Sequence, residues 1–152
     1  MKVGINGLNL IKESEGFKAK MYYDSNNLPT IGYGTLIDTK EEEYLKTDTI
    51  NEGQALDLLR KDCEVFEKAI LKMVMIPLNQ NQFDGLISLV YNIGPNNFQK
   101  SSVLGSINKK MGEAEIRTNW SKWCRAGGKV LKGLVDRRNK EMNLYFTTEL
   151  FA

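Results

Sequence analysis

Between Glu15 and Thr35 the chain reads EGFKAKMYYDSNNLPTIGYGT. Leu8, Ile11 and Glu15 follow one another at helical spacings of three and four, so the pattern predicts a first helix over Ile5–Ser14 whose apolar stripe Glu15 continues. Gly16 suits the C-cap of that helix. A carboxyl group on the buried face of a helix end is partly desolvated, which disfavours its charged form and suits a general acid. The apolar runs Ala19–Tyr23 and Leu28–Gly34 flank Asp24-Ser25-Asn26-Asn27, whose short polar side chains tolerate turns, so the segment is expected to form a hairpin with Asp24 near its bend. Asp24 is expected to stay ionised in that polar turn. Two carboxyl groups in such different surroundings follow the pattern that pairs an acid with a base or nucleophile. Gly32 and Gly34 leave room in the second strand for a ligand or a second backbone. Spacing alone does not separate this reading from two ordinary solvated carboxylates.

The rest of the chain narrows the chemistry. With 152 residues and 41% hydrophobic content it is long enough for one domain with a real core, or for two small lobes sharing one chain. It contains no histidine, which excludes Ser-His and Cys-His nucleophiles and the common His-based metal sites and leaves carboxylates as the acid-base groups. Cys63 and Cys124 stand far apart and fit isolated thiols in a reducing compartment. No apolar run approaches the ~20 residues of a membrane span. The N-terminal segment, MKVGINGLNLIKESEG, lacks the continuous apolar region of a signal peptide, so a cytoplasmic start is expected.

Net charge is +2, divided as −3 over residues 1–76 and +5 over residues 77–152. Arg117, Lys122, Arg125, Lys129, Lys132, Arg137, Arg138 and Lys140 form a cationic run interrupted by Asp136. Such a run attracts polyanions and does not discriminate among cell wall, nucleic acid and acidic lipid.

Along the chain, the acidic run Glu41-Glu42-Glu43 is expected to be a solvated face. Thr49 with Glu52 matches a capping box, and Leu56, Leu59, Cys63, Phe66 and Ile70 predict a long amphipathic helix from about Ile50 to Met73. After Pro77, Asn79 suits the cap of a helix with Phe83, Leu86, Ile87 and Val90 on its apolar face, ended by Gly94-Pro95. Asn96-Asn97-Phe98 is expected to be a loop, with Phe98 either stacking on a sugar or lying in the core. Ser101 or Ser102 caps a short helix running toward Met111. A further helix over Glu113–Trp123 carries Trp120 and Trp123 on one face, a spacing more typical of core than of a ligand platform.

Several of these segments together resemble the phage-type lysozymes, the endolysins of glycoside hydrolase family 24. Glu15, eight residues, Asp24, five residues, Thr30 and then Ile31-Gly32-Tyr33-Gly34 reproduce the family's catalytic signature. Gln80-Asn81-Gln82-Phe83-Asp84, Tyr91-Asn92-Ile93-Gly94, and Trp123 followed by Ala126-Gly127-Gly128, Gly133-Leu134 and Arg137-Arg138 are similar to its second lobe. The similarity runs from about Asn6 to about Phe146.

The resemblance implies a mainly α fold with a small β-hairpin lobe (α+β). It implies an N-terminal lobe over about 1–49, a connecting helix over about 50–75 and a helical lobe over about 76–152. It implies endo-hydrolysis of the β-1,4 bond between N-acetylmuramic acid and N-acetylglucosamine in bacterial peptidoglycan, leading to host cell lysis. Glu15 would protonate the glycosidic oxygen, while Asp24 and Thr30 would act on the opposite face of the sugar, positioning water or stabilising charge. Leu36, Tyr91 and Ser101 occupy positions where relatives contact saccharide. Thr35 replaces a histidine carried by some members. No metal or organic cofactor is expected, nor nucleic-acid binding, nor stable membrane insertion. A monomer is expected that waits in the host cytoplasm and reaches the wall through a holin. A non-catalytic wall-binding protein on the same fold is the alternative; the intact Glu15, Asp24 and Thr30 argue against it.

Overall fold

The computed structural model describes residues 1–38 and 48–148. Helix α1 (Ile5–Glu15) leads into a three-stranded antiparallel sheet of β1 (Lys18–Tyr23), β2 (Pro29–Gly32) and β3 (Thr35–Leu36), in the order β1-β2-β3. Helices α2 (Glu52–Met73), α3 (Gln80–Ile93), α4 (Pro95–Lys100), α5 (Ser102–Asn108) and α6 (Glu113–Ser121) follow. A small hairpin of β4 (Arg125–Ala126) and β5 (Lys129–Val130) precedes α7 (Lys132–Tyr145). The architecture is the mainly helical α+β one expected from the sequence. The Glu41-Glu42-Glu43 run lies outside the described residues.

The predicted stripes are the buried ones. Leu8 and Ile11 of α1, Leu59, Cys63 and Ile70 of α2, and Phe83, Leu86, Ile87 and Val90 of α3 are all fully buried in one apolar cluster. Each such aliphatic or aromatic side chain contributes about 1.5–3 kcal/mol relative to exposure. Helix α3 is buried without interruption from Phe83 to Val90, which makes it the element around which the others pack. Although α1 precedes the hairpin in sequence, it packs against α3 and α7, while β2 and β3 lie on α2.

The structure corrects four local expectations. The capping box of α2 is Asn51 with Gln54, two residues beyond Thr49 and Glu52. Thr49 is still paired with Lys20, and the Ile50 amide donates to the Ala19 carbonyl, so the chain stays extended against β1 until Asn51. The Asn96-Asn97-Phe98 segment is helical, within α4, and Phe98 is core. Helix α6 stops at Ser121, short of Trp123. The cationic run is smaller than its sequence suggests, because Arg137 and Arg138 are 6% and 1% exposed. Arg117 pairs with Glu113 and Lys140 with Glu13, leaving Lys122, Arg125, Lys129 and Lys132 as the exposed cations of the run that form no ion pair among the described residues.

Candidate active site

Glu15 ends α1, where Gly16 takes φ 72° and its amide closes the helix on the Lys12 carbonyl. This termination leaves the Glu15 side chain 29% exposed at the junction of helix and sheet. Its Oε1 accepts a hydrogen bond from Arg137 Nη1 at 3.1 Å. Gly34, at φ 94° in the turn between β2 and β3, borders the carboxylate: a Cβ there would lie 3.6 Å from Glu15 Oε2 and 3.3 Å from the Tyr91 hydroxyl. Tyr91 donates to the Tyr33 carbonyl at 3.1 Å and so ties α3 to this corner of the sheet. Burial pushes the Tyr91 phenol up, and the charge of Glu15 pushes it further. Gly32, by contrast, packs its backbone on α2, where a Cβ would stand 3.1 Å from that of Ala55.

Asp24 follows β1 directly. Its Oδ1 accepts from the amides of Asn26 and Leu28, both at 2.9 Å, and Asn27 completes the turn at φ 60°. Both contacts use one oxygen, so Oδ2 takes no part in holding the turn.

Sheet register fixes the neighbours. Tyr22 stands opposite Thr30, and Thr30 opposite Leu36, so the three form a row across one face of the sheet. Thr30 is 2% exposed and donates to the Leu28 carbonyl at 2.9 Å, whereas Leu36 is 59% exposed. Burial pushes the Tyr22 phenol up, and the charges of Glu15 and then Asp24 add to it, so both carboxylates lie within electrostatic reach of this row. The opposite face carries Ile31 and Thr35, buried on α2, where Thr35 donates to Asp62 Oδ2 at 2.7 Å.

The sheet thus brings Thr30 and Leu36 into one row beside Asp24, and Tyr91 joins Glu15 from α3. Ser101 is 8% exposed; its hydroxyl donates to the Phe98 carbonyl at 2.7 Å and accepts from the Leu104 amide at 3.2 Å, serving as the cap of α5. A groove of about 400 Å³ opens between the end of α1 and the start of α7, walled by Ser14, Leu131, Leu134 and Arg137. Sequence reading does not find the partner of Glu15: Arg137 stands there only in the cationic run and in the Arg137-Arg138 pair. Its place next to a second arginine and four residues before a glutamate is the only local signal of burial. Among the described residues no cluster of acidic and thiol groups suits a metal ion.

Residues 12–141 match the sequence profile of the family described as Phage lysozyme. The chain belongs to the phage lysozyme family. It is 36% identical to the endolysin of Salmonella phage P22 over 97% of this chain and 99% of that one. It is 35% identical to the endolysin of Bacillus phage PZA, where 95% of this chain matches 55% of a longer protein. A crystal structure of a P22 lysozyme variant superposes with a TM-score of 0.85, at 36% identity and covering 97% and 99% of the two chains. The muramidase domain of SpmX from Asticaccaulis excentricus superposes equally well, at 0.85, with 31% identity and the same coverage. The fold is therefore that of a lysozyme, and the chain is a glycoside hydrolase of the lysozyme type.

Proposed function

We propose that this phage lysozyme cleaves the β-1,4 bond between N-acetylmuramic acid and N-acetylglucosamine in peptidoglycan with Glu15 as the acid and with Asp24 and Thr30 on the opposite face of the sugar. The observation that carries the assignment is the corner where the end of α1 meets the sheet. There Glu15 is held by Arg137 next to a strand row containing Thr30, with Asp24 at the end of the adjoining strand. When Glu15 gives its proton to the leaving oxygen it becomes an anion, and the Arg137 guanidinium at 3.1 Å already faces that product. Asp24, with Oδ2 outside the turn's hydrogen bonds, guides water or stabilises positive charge on the sugar. Leu36 offers an exposed apolar surface to a sugar ring, and Tyr91 lines the same corner.

The reading extends to the setting. The enzyme acts as a monomer on the wall after a holin-type pore has opened the membrane; among the described residues no helix is long and apolar enough to cross one. The α2 helix joins the sheet-bearing lobe, about 1–49 in sequence but with α1 packed on the helical side, to a helical lobe over about 76–152, and a hinge about it admits the polymer.

Clearing of outer-membrane-permeabilised cells tests the assignment. Glu15→Gln keeps the size of the side chain and removes the acid, so the folded variant should lose about 10²–10⁴ in rate. Equal clearing by both proteins removes Glu15 from the mechanism.

A further inference from the structure

Behind the Arg137 that faces Glu15 lies a buried polar network whose other members the proposed chemistry does not itself use. Arg137 reaches Glu15 with Nη1; with Nη2 it donates to the Ser88 carbonyl at 3.2 Å, and with Nε to the Ser88 hydroxyl at 3.3 Å. Ser88 in turn donates to Glu141 Oε2 at 2.5 Å, and that oxygen lies 3.4 Å from Arg137 Nε. The other Glu141 oxygen accepts from Trp120 Nε1 at 3.1 Å. Arg138 closes the far side, its Nη2 donating to Glu141 Oε2 at 3.0 Å and its Nη1 to the Trp123 carbonyl at 3.2 Å. Ser88 and Glu141 are both fully buried.

The network spans α1, α3, α6 and α7, and helix packing makes it rigid. Gly85 of α3 sits where a Cβ would come within 2.8 Å of the Glu141 carbonyl, so α3 and α7 approach closely and Ser88, one turn on, meets both Arg137 and Glu141. A lone arginine has many rotamers of similar energy. One whose Nε and Nη2 are both held by a serine backed by an immobile carboxylate has only one that satisfies its partners. A buried guanidinium without such partners would carry a large desolvation cost.

We propose that Glu141 is a positioning residue for the hydrolysis: acting through Ser88 and Arg137, it holds the Glu15 carboxylate in its working orientation without touching the sugar. The inference rests on Glu15 being the acid. A misplacement of the acid by a fraction of an ångström acts on the chemical step and not on polymer binding.

The test is a double-mutant cycle on soluble, uncrosslinked glycan strands, run at a temperature where near-UV circular dichroism shows every variant folded. Glu141→Gln should lower kcat about tenfold or more while KM changes less than about twofold. Ser88→Ala should do the same more weakly, and it decides the matter if the Glu141 variant fails to fold. In an Arg137→Met background neither substitution should lower kcat further, because the element they act through is gone. Unchanged kcat in the folded variants overturns the proposal, and so does an equal loss with and without Arg137, which marks a packing defect. Glu15→Gln in the same series separates the two ideas: full activity there defeats the assignment of the acid, whereas an inactive Glu15→Gln beside a fully active Glu141→Gln defeats only the positioning role.

Discussion

Asp62 of α2, which accepts a hydrogen bond from Thr35 on the buried face of the sheet, shows how one residue sets a pH dependence. Burial pushes the Asp62 carboxyl above its ordinary value, and the Thr35 hydroxyl and Lys61 pull it partly back. The folded protein therefore binds that proton more tightly than the unfolded chain does. The resulting contribution to stability is fully present below the unfolded value and is lost as pH rises through the folded one. Asp62→Asn should accordingly gain thermal stability relative to the parent as pH is raised from about 4 to neutrality. Equal differences in melting temperature at the two ends would refute the coupling. Asp62 is 27 residues from Thr35 and nothing local in the sequence pairs them. Cys63 next to it was legible as a buried thiol; burial, with the charge of Glu67, pushes it up to about 12. On the folded protein at mildly alkaline pH, an alkylating reagent should modify the half-buried Cys124 and spare Cys63.

At the scale of elements, local chemistry explains several helix ends. Asn51 with Gln54 and Asn79 with Gln82 close reciprocal boxes, and Gly16 and Gly94 terminate α1 and α3. Two equally good boxes two residues apart at the start of α2 are resolved only by the pairing of Thr49 with β1, which a linear reading does not contain. Helix α1, like α4, α6 and α7, has no side-chain cap at its N-terminus. Its N-cap is Gly4, with no side chain to serve, and the amides of Gly4 and Gly7 donate instead to the two oxygens of Asp84 at 2.8 and 3.2 Å. The Val3 amide likewise donates to buried Glu67 at 2.7 Å. Asp84→Asn should cost about 1–3 kcal/mol by leaving one of these amides poorly matched, which lowers the melting temperature by several degrees. Glu15 is at the other end of α1, so kcat of the folded variant should stay within about twofold. A large loss of kcat without loss of stability would contradict this division of labour.

Across the whole molecule a single apolar cluster runs from Tyr33 and Ala55, at the sheet, to Trp120 and Tyr145. The periodic stripes predicted that core well, because burial of a helix face is written in spacing. Charge was read less well. Arg137, Arg138 and Glu141 are polar by composition yet interior by packing, and their partners are set by helix crossings rather than by sequence neighbours. If this run draws the protein to an anionic wall, the attraction is expected to rest on Lys122, Arg125, Lys129 and Lys132. Neutralising these four should flatten the decline of wall-lytic activity with rising ionic strength and leave cleavage of short neutral glycans unchanged. An undiminished salt response would place the attraction elsewhere.

The ion pair of Glu15 with Arg137 joins residues 122 positions apart. A ribosome delivers Glu15 long before its cationic partner. A growing chain that stops before Arg137 carries the whole Glu15–Thr35 signature and still lacks the guanidinium that pairs with Glu15. On the proposed assignment of Glu15 as the acid, a nascent chain is therefore expected to become active only after Arg137 has been made and packed.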